Sequence, residues 1–133
     1  MDLGLAGKRA IVTGGTRGIG RRIVELLLAE GCSVGFCARN EDEVNQTLSA
    51  LTPASGAEVR GGAVDVTDDH GIRAWIARTA QALGGLDILI PNASALVGSA
   101  SVDDWRRGLE VDILGTVRAV EADPTAMALA TAT

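Results

Sequence analysis

The sequence has 133 residues, of which 47% are hydrophobic and 22% are charged, and this composition predicts one globular domain and excludes a disordered chain. A formal net charge of −5, with the arginines scattered along the chain, argues against a nucleic-acid surface. No apolar run approaches the about 20 residues that a bilayer requires, and the N-terminus lacks a basic region followed by an apolar core, so we expect a cytoplasmic protein without membrane association.

The first predicted strand ends in a glycine-rich turn that opens a helix. Gly14 lets the chain turn off the strand, Gly18 removes a side chain where backbone must approach a diphosphate, and Gly20 lets the helix pack closely on the sheet. The unpaired N–H groups and the positive dipole end of the helix then face the phosphates. We therefore predict a nucleotide-phosphate site at residues 13–20, the alternative being a glycine turn that binds no ligand.

The first helix runs from this turn to Gly31, which is typical of a residue that ends a helix. Its periodicity predicts that one face buries four apolar residues: Ile19, Ile23, Leu26 and Leu27. Residues 33–38 are apolar on both faces, as in a parallel strand covered by helices on each side. This strand–helix–strand unit is expected to be right-handed, which places the second strand beside the first.

Three further helices alternate with two further strands, which we place within residues 58–66 and at residues 86–90. Asn40 and Glu43 form a capping box for the second helix, and Thr67 is expected to cap the third. The buried stripe of the third helix is predicted to contain Ile72, Ile76, Ala80 and Leu83. Ser101 opens a last helix, whose packing face is predicted to contain Trp105, Leu109, Ile113, Val117 and Val120.

The alternation β-α-β-α-β-α-β-α predicts an α/β fold, namely a Rossmann-like, doubly wound parallel sheet with strand order 3-2-1-4. Residues 1–121 form the predicted Rossmann-type, nucleotide-binding domain. Residues 122–133 are a low-complexity tail, in which Pro124 blocks helix continuation.

Several motifs resemble the short-chain dehydrogenase/reductase family. They are the spacing Gly14-x-x-x-Gly18-x-Gly20 after a threonine, an acidic residue in the segment 64–67, and an Asn-Ala pair in the segment 91–94. The segment 105–116 is similar to the family's helix with Val-Asn-x-x-Gly, except that Asp112 stands where the catalytic asparagine usually is. The resemblance implies a cofactor-binding set: Gly14, Thr16, Arg17, Gly18, Ile19, Gly20, Arg39, Asp65, Val66, Asn92 and Ala93.

The cofactor preference follows from the end of the second strand. An acidic residue there would bind the ribose hydroxyls of NAD, whereas Arg39 would accommodate a 2′-phosphate, so we expect NADP rather than NAD. Asp65 looks like the family residue that binds the adenine amino group, but it could instead be a carboxylate of the turn before the third helix. Arg17 and Arg39 could be solvated surface charges, and Asp112 a charge on a helix face. We expect no metal site.

The resemblance implies NADP(H)-dependent hydride transfer between an alcohol and a carbonyl compound. It covers only the first half of the family, since the serine and the Tyr-x-x-x-Lys motif are missing: the sequence has no tyrosine, and Lys8 is its single lysine. We therefore expect a truncated or frameshifted chain that is inactive alone and reaches substrate only if the missing half is supplied. The alternatives are a non-catalytic dinucleotide-binding fragment and a pseudo-domain that pairs with another chain, through the last helix or an exposed strand edge.

Overall fold

The computed structural model describes residues 2–96 and 101–124. The elements are β1 (Arg9–Thr13), α1 (Gly18–Ala29), β2 (Ser33–Ala38), α2 (Glu41–Ala50), β3 (Val59–Ala63), α3 (Asp69–Leu83), β4 (Ile88–Pro91), α4 (Val102–Gly108), a π-helical segment (Leu109–Leu114) and α5 (Gly115–Ala122). None of the helices in these two ranges is long and apolar enough to cross a membrane.

The strands form one parallel sheet in the order β3-β2-β1-β4, which confirms the predicted Rossmann-like topology. Ile11 in β1 lies opposite Gly35 in β2 and Leu89 in β4, so β1 is a central strand. Within the described residues β4 pairs with β1 alone, and its other edge carries no strand. The carboxyl ends of β1, β2 and β4 therefore meet at one end of the sheet, where open α/β sheets bind ligands.

Two hydrophobic clusters cover the two faces of the sheet. Ala10 and Val12 belong to the cluster under α1 and α2, whereas Ile11 belongs to the cluster with α3 and α5. The alternation follows from the period-2 geometry of a strand. All three residues are fully buried, as expected for the central strand of a doubly wound sheet.

The buried face of α1 differs from the prediction. Gly20, Val24 and Leu28 are its buried residues, while Ile19 is 75% exposed and Leu26 is also exposed. A Cβ at residue 20 would clash with the Gly14 carbonyl, so the helix approaches the turn most closely at Gly20. The packing face of α1 therefore consists of Gly20 and the two buried residues that follow it at four-residue spacing. The predicted burial of Ile19 and Leu26 is wrong.

The cap of α3 was also assigned wrongly. The Asp68 side chain, not that of Thr67, accepts the hydrogen bond from the Gly71 N–H. Thr67 instead donates both its N–H and its hydroxyl to the Asp65 carboxylate. The predicted stripe of α3 is confirmed, since its four residues are buried together with Trp75.

The predicted last helix is interrupted by the π segment between α4 and α5. Its apolar stripe does not pack on the domain: Trp105 is 66% exposed, and Leu109, Ile113, Val117 and Val120 are also exposed. The side that packs inward carries the small residues Gly115 and Ala119. A Cβ at Gly115 would lie 2.9 Å from Val66 Cγ2, so close helix packing here requires glycine. The apolar periodicity marked an outward face, and the prediction that Trp105 packs is wrong.

The helix ends where proline dictates. Asp123, the residue after α5, is extended with φ −65° and ψ 121°, the conformation favoured before a proline such as Pro124. The rest of the predicted tail, from residue 125, lies outside the described residues.

The exposed stripe generates the first prediction. We expect the 133-residue chain to associate in solution, because several large apolar side chains between residues 102 and 120 are exposed, and exposed apolar surface favours association. Replacing Trp105 and Leu109 together by glutamine is expected to weaken association roughly tenfold or more, the usual effect of truncating a central aromatic contact. Size-exclusion chromatography with light scattering measures this. Arg107→Gln is the control, and a monomeric parent chain would contradict the prediction.

Candidate functional site

The glycine turn is fastened to the neighbouring strand by two backbone hydrogen bonds. The N–H groups of Gly14 and Gly15 donate to the Cys37 carbonyl at 2.9 and 3.1 Å. Gly14 has φ +71°, and a Cβ there would lie 3.0 Å from the Ala93 Cα, so both the conformation and the space require glycine. Because these two N–H groups already donate to Cys37, they are not among the donors that the turn offers to a ligand.

The start of α1 has no cap of its own. Arg17 is its N-cap residue, supplies no side-chain hydrogen bond and is followed by no acidic residue in the first turn. Arg21 donates the helical bond to the Arg17 carbonyl at 3.3 Å, so the N–H groups of Gly18, Ile19 and Gly20 precede the bonded part of the helix. Gly18 has φ +59°, and a Cβ there would meet no atom of residues 2–96 and 101–124 within 4 Å. An anion could thus approach this backbone directly.

The other helices that begin after a loop have N-termini capped by a side chain. Asn40, Asp68 and Ser101 each cap their helix with a side-chain oxygen, and each first turn contains acidic residues. These groups satisfy the N–H donors and the helix dipole from within the chain. Among the helices that follow a loop in the described residues, only α1 leaves its first N–H donors and the positive end of its dipole for a ligand.

The loop after β4 is bonded to the glycine turn through Thr13. The Thr13 hydroxyl accepts the N–H groups of Asn92 and Ala93 at 3.0 and 3.1 Å, and Asn92 Nδ2 donates to the Gly14 carbonyl at 3.1 Å. A Cβ at Gly20 would meet this amide and this carbonyl. The structure therefore brings together Gly14, Gly20, Asn92 and Ala93, all sequence-predicted site residues. It adds Thr13, which the sequence could have indicated because a hydroxyl residue stands there at the end of a buried strand.

A carboxylate that the sequence analysis did not assign to the site lies beside the turn. The Thr16 hydroxyl donates to Glu43 Oε2 at 3.4 Å. Asn40 accepts the Glu43 N–H at 3.1 Å, as predicted for a capping box, but the Glu43 side chain reaches the turn. The sequence showed Glu43 only as part of a capping pattern. The direction of its side chain depends on the neighbouring element, which the sequence does not show. The first turn of α2 is thus connected to residues 13–20.

Two arginines near the site have uncompensated charges. Arg17 and Arg39 are both exposed, and neither forms an ion pair within residues 2–96 and 101–124. Arg39 directly follows β2 and precedes the N-cap of α2. Their guanidinium groups are therefore available to a phosphate, and equally to solvent.

The segment after β3 is ordered by its own side chains. Asp65 Oδ1 accepts the N–H and the hydroxyl of Thr67, both at 2.9 Å, which is the turn that the sequence analysis named as the alternative. Its Oδ2 accepts no hydrogen bond from the described part of the chain. Val66 is buried beneath Gly115. The adenine role of Asp65 and Val66 remains a prediction.

Asp112 lies in the π segment and holds the loop after β4. Its Oδ1 accepts the Ala95 N–H at 2.8 Å. The same bond is open to an asparagine, whose side-chain oxygen occupies the equivalent position. Asp112 is thus more than a charge on a helix face, although its part in catalysis is untested.

The described residues of the site offer neither a reactive thiol nor a metal-binding cluster. Burial raises the pKa of the Cys37 thiol to about 12, so the thiol stays protonated at neutral pH and is a poor nucleophile. In the described ranges no group of three or more His, Cys, Asp or Glu side chains could hold a metal ion.

Comparison with known proteins identifies the family of this chain. The family model described as short chain dehydrogenase matches residues 8–131. The isoepoxydon dehydrogenase patN of Penicillium expansum is 33% identical over 124 residues, which are 92% of this chain and 48% of that protein. A 2,5-dichloro-2,5-cyclohexadiene-1,4-diol dehydrogenase of Sphingobium indicum is 36% identical over 117 residues, or 84% of this chain and 45% of that protein.

Solved structures give the same result. The L-sorbose reductase of Gluconobacter frateurii, complexed with NADPH and L-sorbose, has a TM-score of 0.85 at 30% identity and covers 98% of this chain and 51% of its own. A blue fluorescent protein from a metagenomic library, in complex with NADPH, has a TM-score of 0.80 at 29% identity and covers 91% and 51%. This chain belongs to the short-chain dehydrogenase family. It spans about half the length of the curated relatives it matches.

The junction at Thr13 generates the second prediction. Thr13→Val leaves the partly buried N–H groups of Asn92 and Ala93 without their acceptor, and we expect the pair to cost about the 1–3 kcal/mol of one fully buried unsatisfied donor, because each is partly open to water. We expect the free energy of unfolding to fall by that amount in urea titrations. Thr13→Ser keeps the hydroxyl and is the matched control, expected to retain most of the stability. Equal stability of the valine variant and the parent would show that the junction contributes nothing.

Proposed function

We propose that this chain is the dinucleotide-binding half of an NADP(H)-dependent oxidoreductase of the short-chain dehydrogenase family. The uncapped start of α1 carries the proposal: within the described residues its N–H groups and dipole have no partner, and no described atom fills the space at Gly18. The NADPH complexes of the L-sorbose reductase and the metagenomic fluorescent protein support the choice of ligand. When bound, the nicotinamide would supply or accept the hydride exchanged with an alcohol or carbonyl carbon.

In this proposal, backbone donors bind the diphosphate. Gly18, Ile19 and Gly20 supply N–H groups, and the dipole of the 12-residue helix α1 adds a positive potential. Ile19, which is exposed here, would be covered by the cofactor. Thr16 and Gly14 keep the turn in place through Glu43 and Cys37.

Side chains select the adenosine end. Arg39 would contact the 2′-phosphate and Arg17 would add a second positive charge, because neither is neutralised within the described chain. Asp65 would accept a hydrogen bond from the adenine amino group through Oδ2, since Oδ1 is used by Thr67. Val66 would pack beside the adenine.

The nicotinamide end would lie near the loop that follows β4. Asn92 and Ala93 are held by Thr13, and Asp112 holds Ala95 in the same loop. Asp112 occupies the position of the family's asparagine, and its role in catalysis is proposed on that resemblance and on this hydrogen bond. The alcohol or carbonyl substrate would bind only once residues outside these 133 complete the site.

The third prediction concerns cofactor preference. We expect NADP(H) to bind more tightly than NAD(H), because charge-assisted hydrogen bonds to a phosphate are worth about 1.5–3 kcal/mol. Arg39→Asp is therefore expected to weaken NADP(H) binding roughly 10- to 100-fold while leaving NAD(H) binding within a few-fold. Calorimetric titration of both cofactors measures this, with Arg78→Asp as an exposed control on α3. Equal affinity of the parent chain for both cofactors would refute the preference.

A second candidate function is a non-catalytic dinucleotide-binding module, which is favoured because these 133 residues include no tyrosine and their one lysine lies before β1. A positioned general acid or base contributes roughly 10²–10⁴ in rate.

The fourth prediction follows. The purified chain should show no turnover above background on a panel of alcohols and carbonyl compounds, monitored by NADPH absorbance. The parent and a Gly14→Val variant are compared, because the valine blocks the turn at φ +71°. Turnover that the valine variant abolishes would contradict this prediction and indicate a proton donor within the chain or on a second copy.

A further inference from the structure

Arg118 in α5 is the most enclosed charged side chain among the ion pairs of the described residues, with 15% of its side-chain surface exposed. Its Nη2 lies 2.6 Å from Glu110 Oε1, and its Nε lies 3.5 Å from Asp69 Oδ1. Its Nη1 donates to two backbone carbonyls, those of Val66 at 3.3 Å and Glu110 at 3.4 Å. One guanidinium thus contacts three separate segments.

These three segments belong to different parts of the fold. Val66 lies in the loop after β3, Asp69 begins α3, and Glu110 lies in the π segment. The Glu110 carbonyl also accepts the Gly115 N–H, the i to i+5 bond that characterises a π helix. Arg118 therefore bonds to the backbone at the point where the helix departs from α geometry.

A planar guanidinium with five donors suits this position, because it can bond to a carboxylate and to two carbonyls at once. An ordinary surface ion pair would need only one partner and would contribute little. The partly enclosed arginine instead fixes the Val66 carbonyl relative to the segment that carries Asp112. Asp112 in turn holds Ala95.

We propose that Arg118 is a positioning residue that sets the adenine-side loop, residues 65–67, against the π segment, and through Asp112 against the loop after β4. This inference rests on the proposed function for its ligand, but not for its geometry. Among the described residues, Arg118 bonds to Val66, Asp69 and Glu110 and to neither the glycine turn nor the start of α1, so its loss should affect adenosine binding and spare diphosphate binding.

The test compares Arg118→Met, Arg118→Lys and the exposed control Arg78→Met in the full 133-residue chain. Amide hydrogen exchange is expected to quicken roughly tenfold or more at residues 65–67 and at Ala95 in Arg118→Met, with the strands β1 and β2 unchanged. Arg118→Lys keeps the positive charge but loses the planar guanidinium that bonds to several partners at once. We therefore expect thermal stability close to the parent and faster exchange at residues 65–67. If Arg118→Met does not fold, the lysine variant carries the test.

Two probes separate positioning from general destabilisation. Adenosine 2′,5′-bisphosphate reports the adenine side, and inorganic pyrophosphate, followed by the amide NMR signals of Gly18 and Ile19, reports the glycine turn. We expect both Arg118 variants to bind the adenosine probe roughly tenfold more weakly and pyrophosphate as the parent does.

Equal losses on both probes, or parent-like exchange at residues 65–67 in both variants, would overturn the role of Arg118. If the parent bound neither probe, the proposed cofactor function would fail instead. The exchange measurement would then still decide whether Arg118 positions the loop.

Discussion

The hydroxyl of Thr13 is the contact on which the site depends. Thr13 is the last residue of β1 and is buried, and its hydroxyl accepts two backbone N–H groups from the loop after β4. Asn92 completes the connection by donating to the Gly14 carbonyl, and Gly20 packs against both groups because it has no side chain. These partly buried donors and acceptors satisfy one another and connect the turn to the loop after β4. The start of α1, which leads out of this turn, is therefore positioned by that loop.

The sequence predicted this region well wherever the backbone itself demands a residue type. Gly14 and Gly18 have positive φ, and only glycine adopts such angles without strain, so their spacing was visible in the sequence. The right-handed crossover rule placed β2 beside β1, and the doubly wound fold predicted from the alternation gave the full strand order, which was confirmed. The role of Arg39 came from its position at the end of the second strand and that of Asp65 from the resemblance, and both remain proposals because no contact within the described chain tests them.

The sequence failed where a choice depends on a neighbouring element. Periodicity placed Ile19 in the core of α1, but close packing at Gly20 turned that side chain outward. Glu43 matched a capping box, yet its carboxylate reaches Thr16 because the glycine turn lies beside α2. The same limit applies to the last helix, where apolar spacing of three and four residues could not reveal the π segment or show that small residues face inward.

The central claim is that the uncapped start of α1 binds the diphosphate of a nicotinamide cofactor. A crystal structure of the chain grown with NADP tests it most directly. The account predicts diphosphate oxygens within hydrogen-bond distance of the Gly18 and Ile19 N–H groups, with the 2′-phosphate against Arg39. A complex in which the cofactor lies elsewhere, or with its diphosphate away from these N–H groups, would contradict it.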